Sequence, residues 1–146
     1  MKKTSYGKSN DLNLKLLIAL ARTNQEIIKR QIPFIRANGL TLTQFGVLEL
    51  LYHKGSLRIC EIIEKTLSTG GNMTVVINNL HKVGLIERTL DPHDKRAFLI
   101  NITPKGEDLI SKIFPRHLEN LELILDGLDE EEKSNLILLL KGLSKI

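Results

Sequence analysis

The 146-residue chain has no tryptophan, few other aromatics (4% in all) and one cysteine, Cys60. With one thiol no internal disulfide can form, and a reducing compartment, the cytosol, is expected. No run of about eighteen apolar residues occurs, so no helical membrane span is expected. The opening Met1-Lys2-Lys3-Thr4-Ser5-Tyr6-Gly7-Lys8 is basic but lacks the apolar core and cleavage site of a signal peptide. His53, His81, His93 and His117 are scattered, and none pairs with another histidine or with Cys60 at metal-ligand spacing. Asp91-x-His93-Asp94 is the one cluster that could hold a metal. No nucleophile–base set stands out, and Gly70-Gly71 lacks the Lys-Ser/Thr that follows in a phosphate-binding loop. Neither an enzyme nor a cofactor or metal site is expected.

What is present is an ordinary globular balance, 42% hydrophobic and 26% charged, in a length that suits one domain. The net charge of +4 permits a nucleic-acid partner, and its distribution is more informative. Residues 1–39 carry +6, residues 40–103 carry +1 and residues 104–146 carry −3. An acidic C-terminal third argues against coating DNA through bulk charge. If the chain binds DNA, a few placed residues must do it.

A helix is expected over Leu12–Asn38, capped by Asn10 or Asp11, stopped at Asn38-Gly39 and kinked or broken near Pro33. Its many apolar positions suggest burial against more than one neighbour. Three short helices follow. Thr43 is expected to cap Gln44–His53, then comes Ile59–Thr66, and Ser68 or Thr69 opens a third helix that Gly84 closes. The close spacing of the last two fits a helix-turn-helix. The period then changes to that of strands at Leu85–Leu90 and Ala97–Thr103, around the polar turn Asp91–Arg96. Thr103 with Pro104 begins another helix, to about Asp126, with a kink expected at Pro115. Asp129 with Glu132 forms a capping-box start for the last, whose Leu136–Leu140 is apolar all round. The fold class is mainly α with a small β-hairpin: a winged helix-turn-helix flanked by terminal helices. Those helices cannot bury all their apolar faces on so small a middle. A two-fold homodimer with intertwined ends is the economical solution. The expected division is therefore 1–39 and 104–146 for dimerisation and 40–103 for DNA binding.

The stretch from Leu40-Thr-Leu-Thr-Gln-Phe-Gly-Val-Leu48 through Leu80-His-Lys-Val-Gly-Leu-Ile-Glu-Arg88, Asp91-Pro-His-Asp-Lys-Arg96 and Ile102-Thr-Pro-Lys-Gly106 resembles the MarR family of regulators. The Asp-Pro-x-Asp-Lys-Arg wing with a following Thr-x-x-Gly is its most specific part, and the resemblance covers roughly residues 40 to 106. It implies a homodimer on a palindromic double-stranded operator, with a wing arginine in the minor groove and an acid bracing it. On this chain these are Arg96 and Asp94, with Lys95 and Arg88 as DNA-backbone contacts. The residues of the third short helix support the same reading. Ser68–Gly84 contains no acid. A helix N-terminus with free N–H groups attracts phosphate, and Gly71 lets the backbone approach. Asn72, Thr74 and Asn78 suit base edges, and Val75 a thymine methyl. Arg58 is equally a phosphate contact or a surface residue.

Relatives take phenolic or other lipophilic ligands between the dimerisation helices and the reader, so the resemblance also implies a small-molecule effector. Its cleft should be lined by the first helix, Gln44–His53 and the start of the helix after Thr103. Some relatives respond to thiol oxidation or to zinc. Cys60, flanked by Ile59 and Ile62, is expected to be a buried, inert thiol. A redox- or metal-responsive regulator and a winged-helix protein-interaction module are the alternatives. An acid in the reading helix would have favoured the last.

Overall fold

The computed structural model describes residues 4–66 and 70–144. Helix α1 spans Lys8–Ala37, four residues earlier than the expected start, and its N-cap is Gly7 rather than Asn10 or Asp11. Asp11 lies instead within the first turn, where its carboxylate accepts from Ser5 Oγ at 2.6 Å and from the Tyr6 N–H at 2.9 Å. Those bonds fold the preceding turn onto the helix end and favour four more helical residues. The helix continues through Pro33, where a kink or a break is expected, and is not broken there.

Helix α2 spans Leu42–Lys54, and its cap is Thr41, not Thr43. Thr41 accepts from the Gln44 N–H at 3.2 Å, and the Gln44 side chain takes the Thr41 N–H at 2.9 Å. This reciprocal pair satisfies two otherwise orphan donors, which Thr43 could not match without Gln or Glu three residues on. Gly55, at φ +80°, ends the helix in a backbone conformation that only glycine adopts without strain. A two-residue strand, β1 (Leu57–Arg58), follows, then α3 over Ile59–Thr66, as expected. Helix α4 covers Gly70–Lys82; Ser68 and Thr69, expected to open it, lie outside the described residues.

Strand β2 (Ile86–Asp91) lies one residue later than the pattern indicated, and β3 (Asp94–Ile102) begins three residues earlier, leaving only Pro92-His93 between them. Asp91 and Asp94 of the expected turn pair with each other, because strand pairing needs backbone groups and not apolar side chains. The sheet is antiparallel in the order β1-β3-β2, with Leu57 opposite Ile100, Arg88 also opposite Ile100, and a bulge at Leu90/Asp91. Helix α5 (Pro104–Ile124) opens on Thr103, which accepts from the Gly106 N–H at 3.2 Å. Helix α6 (Glu130–Ser144) opens on the expected box, Asp129 and Glu132 exchanging bonds of 3.0 and 2.8 Å. The fold is thus mainly helical with a small sheet.

The core sits in the middle of the chain. Leu48, Leu51, Ile62, Met73, Ile77, Leu80 and Ile100 are fully buried, so α2, α3, α4 and the sheet share one apolar centre. In contrast, α1 buries only Ile35 and α6 buries nothing.

Candidate nucleic-acid interface

Helix α4 divides its residues by period. Met73, Val76, Ile77 and Leu80 point into the core, while Asn72, Thr74, Val75 and Asn78 are exposed. The burial follows the 3.6-residue repeat, which leaves the small polar side chains on the opposite face. Val75, an apolar residue, is 53% exposed. Gly71 lies in the first turn of the helix. No acid occurs along α4, so its outer face is polar and uncharged apart from His81 and Lys82 near its end.

The wing is fastened from below. Asp91 is 5% exposed, and its carboxylate accepts from Arg58 Nε at 2.7 Å and from the His93 N–H at 2.8 Å. These bonds stabilise the charged carboxylate and hold its pKa below the ordinary 3.8, the His93 N–H more strongly than the Arg58 side chain. Arg58 thus tethers β1 to the wing. Its own backbone N–H donates to Glu61 at 2.8 Å, which fixes the start of α3. Asp94 accepts from the Arg96 N–H at 3.0 Å, so it braces the backbone at the tip and not the guanidinium. Lys95 and Arg96 are exposed. Arg88, on β2, donates to Asn78 Oδ1 on α4, which brings together two residues expected to contact DNA separately.

A cleft of about 580 Å³ opens behind the reader. Gln31 of α1, Phe45, Glu49 and His53 of α2, Lys65 and Thr66 at the end of α3, and His117 of α5 are among the residues that line it. The wall from α5 thus comes from the middle of that helix, not its start. His117 is 5% exposed, and its Nδ1 has no hydrogen-bond partner among the described residues. Its ring lies 4.7 Å from that of Phe45, and burial lowers its pKa from 6.5 against a weaker opposing pull from Glu49. Sequence reasoning missed both His117 and the Arg58–Asp91 tether. A lone histidine at helical spacing and two residues 33 apart carry no local signal.

A model of the MarR family matches residues 38–97. The transcriptional regulator MhqR of Bacillus subtilis is 38% identical over 120 residues, covering 82% of this chain and 83% of its own. This chain belongs to the MarR family. Like the relatives it matches, it is a DNA-binding transcriptional regulator. Bordetella bronchiseptica BpsR, whose DNA binding is regulated by 6-hydroxynicotinic acid, has a TM-score of 0.80 at 25% identity, over 89% of this chain and 98% of its own. A mutant E. coli MarR solved with operator DNA has a TM-score of 0.82 at 20% identity, over 94% and 99% of the two chains. It shares the fold. In this MarR-family chain Cys60 is exposed, contrary to the expected burial. The phase of α3 is set by Ile62, which is fully buried, and a residue two positions earlier is carried to another side of the helix.

Proposed function

We propose that this regulator is a homodimeric repressor that binds a palindromic operator and is released by a small lipophilic effector. The observation that carries the reading is the exposed, acid-free face of α4, whose buried face is already saturated by the core. Each subunit places Asn72, Thr74, Val75 and Asn78 in the major groove, with Gly71 near a phosphate. Arg96 at the wing tip enters the adjacent minor groove, Asp94 fixes the backbone beneath it, and Lys95 and Arg88 meet the DNA backbone. Residues 40–103 form the DNA-binding region. Residues 1–39 and 104–146 pair with a second copy, for which the exposed leucines of α1 and α6 provide the surface. The two-fold axis then sets half-sites about 10–10.5 base pairs apart, or a multiple of that.

The effector site is the cleft between the terminal helices and the reader. The buried imidazole of His117 beside the Phe45 ring suits an uncharged planar molecule better than an ion. By linkage, such a molecule releases DNA only if it prefers the reader spacing that does not fit the operator.

The test is selection of genomic fragments by the purified protein at a stated salt concentration, read by sequencing. One inverted repeat should emerge. Arg96→Ala should weaken binding to it by about 1–3 kcal/mol, roughly tenfold to a hundredfold. Normal affinity in that variant would remove Arg96 from the interface. A second reading, thiol control, draws on the exposure of Cys60. Peroxide treatment that leaves operator affinity unchanged would dismiss it.

A further inference from the structure

The hairpin carries an apolar pair outside the core. Residues directly opposite on paired strands share a face, and each face recurs at every second position. Ile86 with Ile102, Arg88 with Ile100 and Leu90 with Phe98 therefore lie on one side of β2 and β3. At the base of the hairpin that side is interior, since Ile86 and Ile100 are buried. Further out it is not: Leu90 is 61% exposed and Phe98 51%. The same side faces the reading helix, because Arg88 donates from it to Asn78 of α4. Leu90 and Phe98 stand two residues, about 7 Å, beyond Arg88 and Ile100 toward the tip that carries Lys95 and Arg96. The residues of this side include no acid, and Arg88 borders the apolar pair.

The two grooves of a duplex are separated by a sugar–phosphate strand. A protein with one element in the major groove and another in the adjacent minor groove must straddle that strand. With α4 and the wing tip placed as proposed above, the straddling surface is the side of the hairpin that holds Leu90 and Phe98. Phosphates are ionic, whereas the C–H edges of deoxyribose are apolar. Arginine suits the first, and an aliphatic–aromatic pair suits the second. We infer that Leu90 and Phe98 pack on the deoxyribose rings of the DNA strand between the two grooves, with Arg88 on a neighbouring phosphate. The contact carries no base information, since every nucleotide presents the same sugar. It releases no counterion either, since neither side chain neutralises a phosphate. It depends on the proposed placement of α4 and Arg96, and the experiment separates the two.

Hydroxyl radicals attack deoxyribose C–H bonds, so cleavage of end-labelled operator by them reads which sugars the full-length protein covers. Wild type should protect the sugars of the strand between the base pairs under α4 and the minor groove under the wing. Leu90→Ala with Phe98→Ala should restore their cleavage and weaken operator binding by about tenfold, the scale of one largely buried apolar side chain. The slope of log affinity against log salt should stay as in wild type, whereas Arg88→Ala should lower it by about one. The loss should be equal for the operator and for operators with single base changes. Phe98→Thr keeps a good strand former without the ring and should match Phe98→Ala. Phe98→Leu keeps an apolar side chain and should recover most of the binding. Thermal unfolding shows that each variant is folded, as is expected for exposed positions. Full cleavage of those sugars in the wild-type complex would overturn the inference without recourse to any variant. So would unchanged affinity in the folded double variant, or a loss confined to particular base pairs. A fall in the sedimenting mass of the DNA-free double variant would overturn it in favour of contact between copies of the chain. Normal affinity in Arg96→Ala, together with full cleavage of the sugars, would instead take the wing out of the minor groove, a failure of the proposed function itself.

Discussion

The middle of this protein and its two ends are built on opposite principles. Residues from Leu40 to Ile100 enclose a centre in which Leu48, Ile62, Ile77 and Ile100 have no exposed surface. In the last helix, Leu138 and Leu139 are 67% and 71% exposed, and in the first, Leu12 and Leu17 are 65% and 64% exposed. A contiguous apolar surface of that kind is unusual on a chain that works alone. The reader closes its apolar centre with help from Ile35 of α1 and Ile110 and Ile113 of α5, whereas α6 and most of α1 leave their leucines uncovered.

The largest effect should come from breaking the ends alone. Leu138→Asp with Leu139→Asp places two charges where the proposed second copy sits, and each leucine would otherwise contribute about 1.5–3 kcal/mol by burial. The pair should leave a monomer by sedimentation and a melting temperature that no longer rises with concentration. Operator affinity should fall by about a hundredfold or more, because one half-site replaces two. The core residues of the reader are untouched by this change. A variant that stays dimeric would place the interface elsewhere.

A smaller and more local effect should appear at the joint between reader and ends. Gly106 lies in the first turn of α5, against the base of the hairpin, where Thr103 also donates to the Gly84 carbonyl at 2.6 Å. A Cβ at Gly106 would overlap the Leu85 carbonyl oxygen and come within 2.7 Å of Ile102 Cγ1. Backbone cannot retreat as a flexible side chain does. Gly106→Ala should therefore cost about 1–3 kcal/mol of stability, the usual range for overpacking. Thermal unfolding checks it. An unchanged melting temperature would mean that α5 can shift away from the hairpin freely.

The elements that were legible in the sequence are those whose signals are local. Ile59–Thr66 is a helix at the bounds its pattern indicated, and Thr103-Pro104 and Asp129–Glu132 start helices as their chemistry requires. The cap of α2 was legible in principle, because Thr41 is followed by Gln44 at the spacing of a capping box and Thr43 is not followed by one. The start of α1 was obscured because Asp11, a good cap residue, was used one turn further in. What was not legible depends on distant partners. Strand β1 is two residues long and exists only because β3 lies beside it. The Arg58–Asp91 tether, the Arg88–Asn78 pair and the exposure of Cys60 all follow from how elements dock, which no window of sequence contains. The outer face of α4 was legible as residue types. Its placement on DNA remains for the selection experiment.

The smallest effect sharpens the comparison where the two regions meet. His117 comes from α5, one of the end helices, yet packs on Phe45 in α2 of the reader. Burial lowers its pKa from 6.5, so the folded chain resists a proton that the unfolded chain accepts. Above 6.5 the ring is neutral in both states and costs nothing. As the pH falls below 6.5, protons bind the unfolded chain first, and stability declines until the lower folded pKa is passed. Removing the titrating group should remove that part of the decline. His117→Phe should therefore show a flatter dependence of melting temperature on pH than wild type just below 6.5, and the same dependence above it. The difference isolates His117 from the exposed histidines and from Asp91, whose lowered pKa confines its own loss of stability to pH values below 3.8. Parallel curves for the two proteins would mean that α5 moves off α2 readily enough to let the ring be protonated in place. The reader and the ends would then be more loosely joined than the buried ring implies.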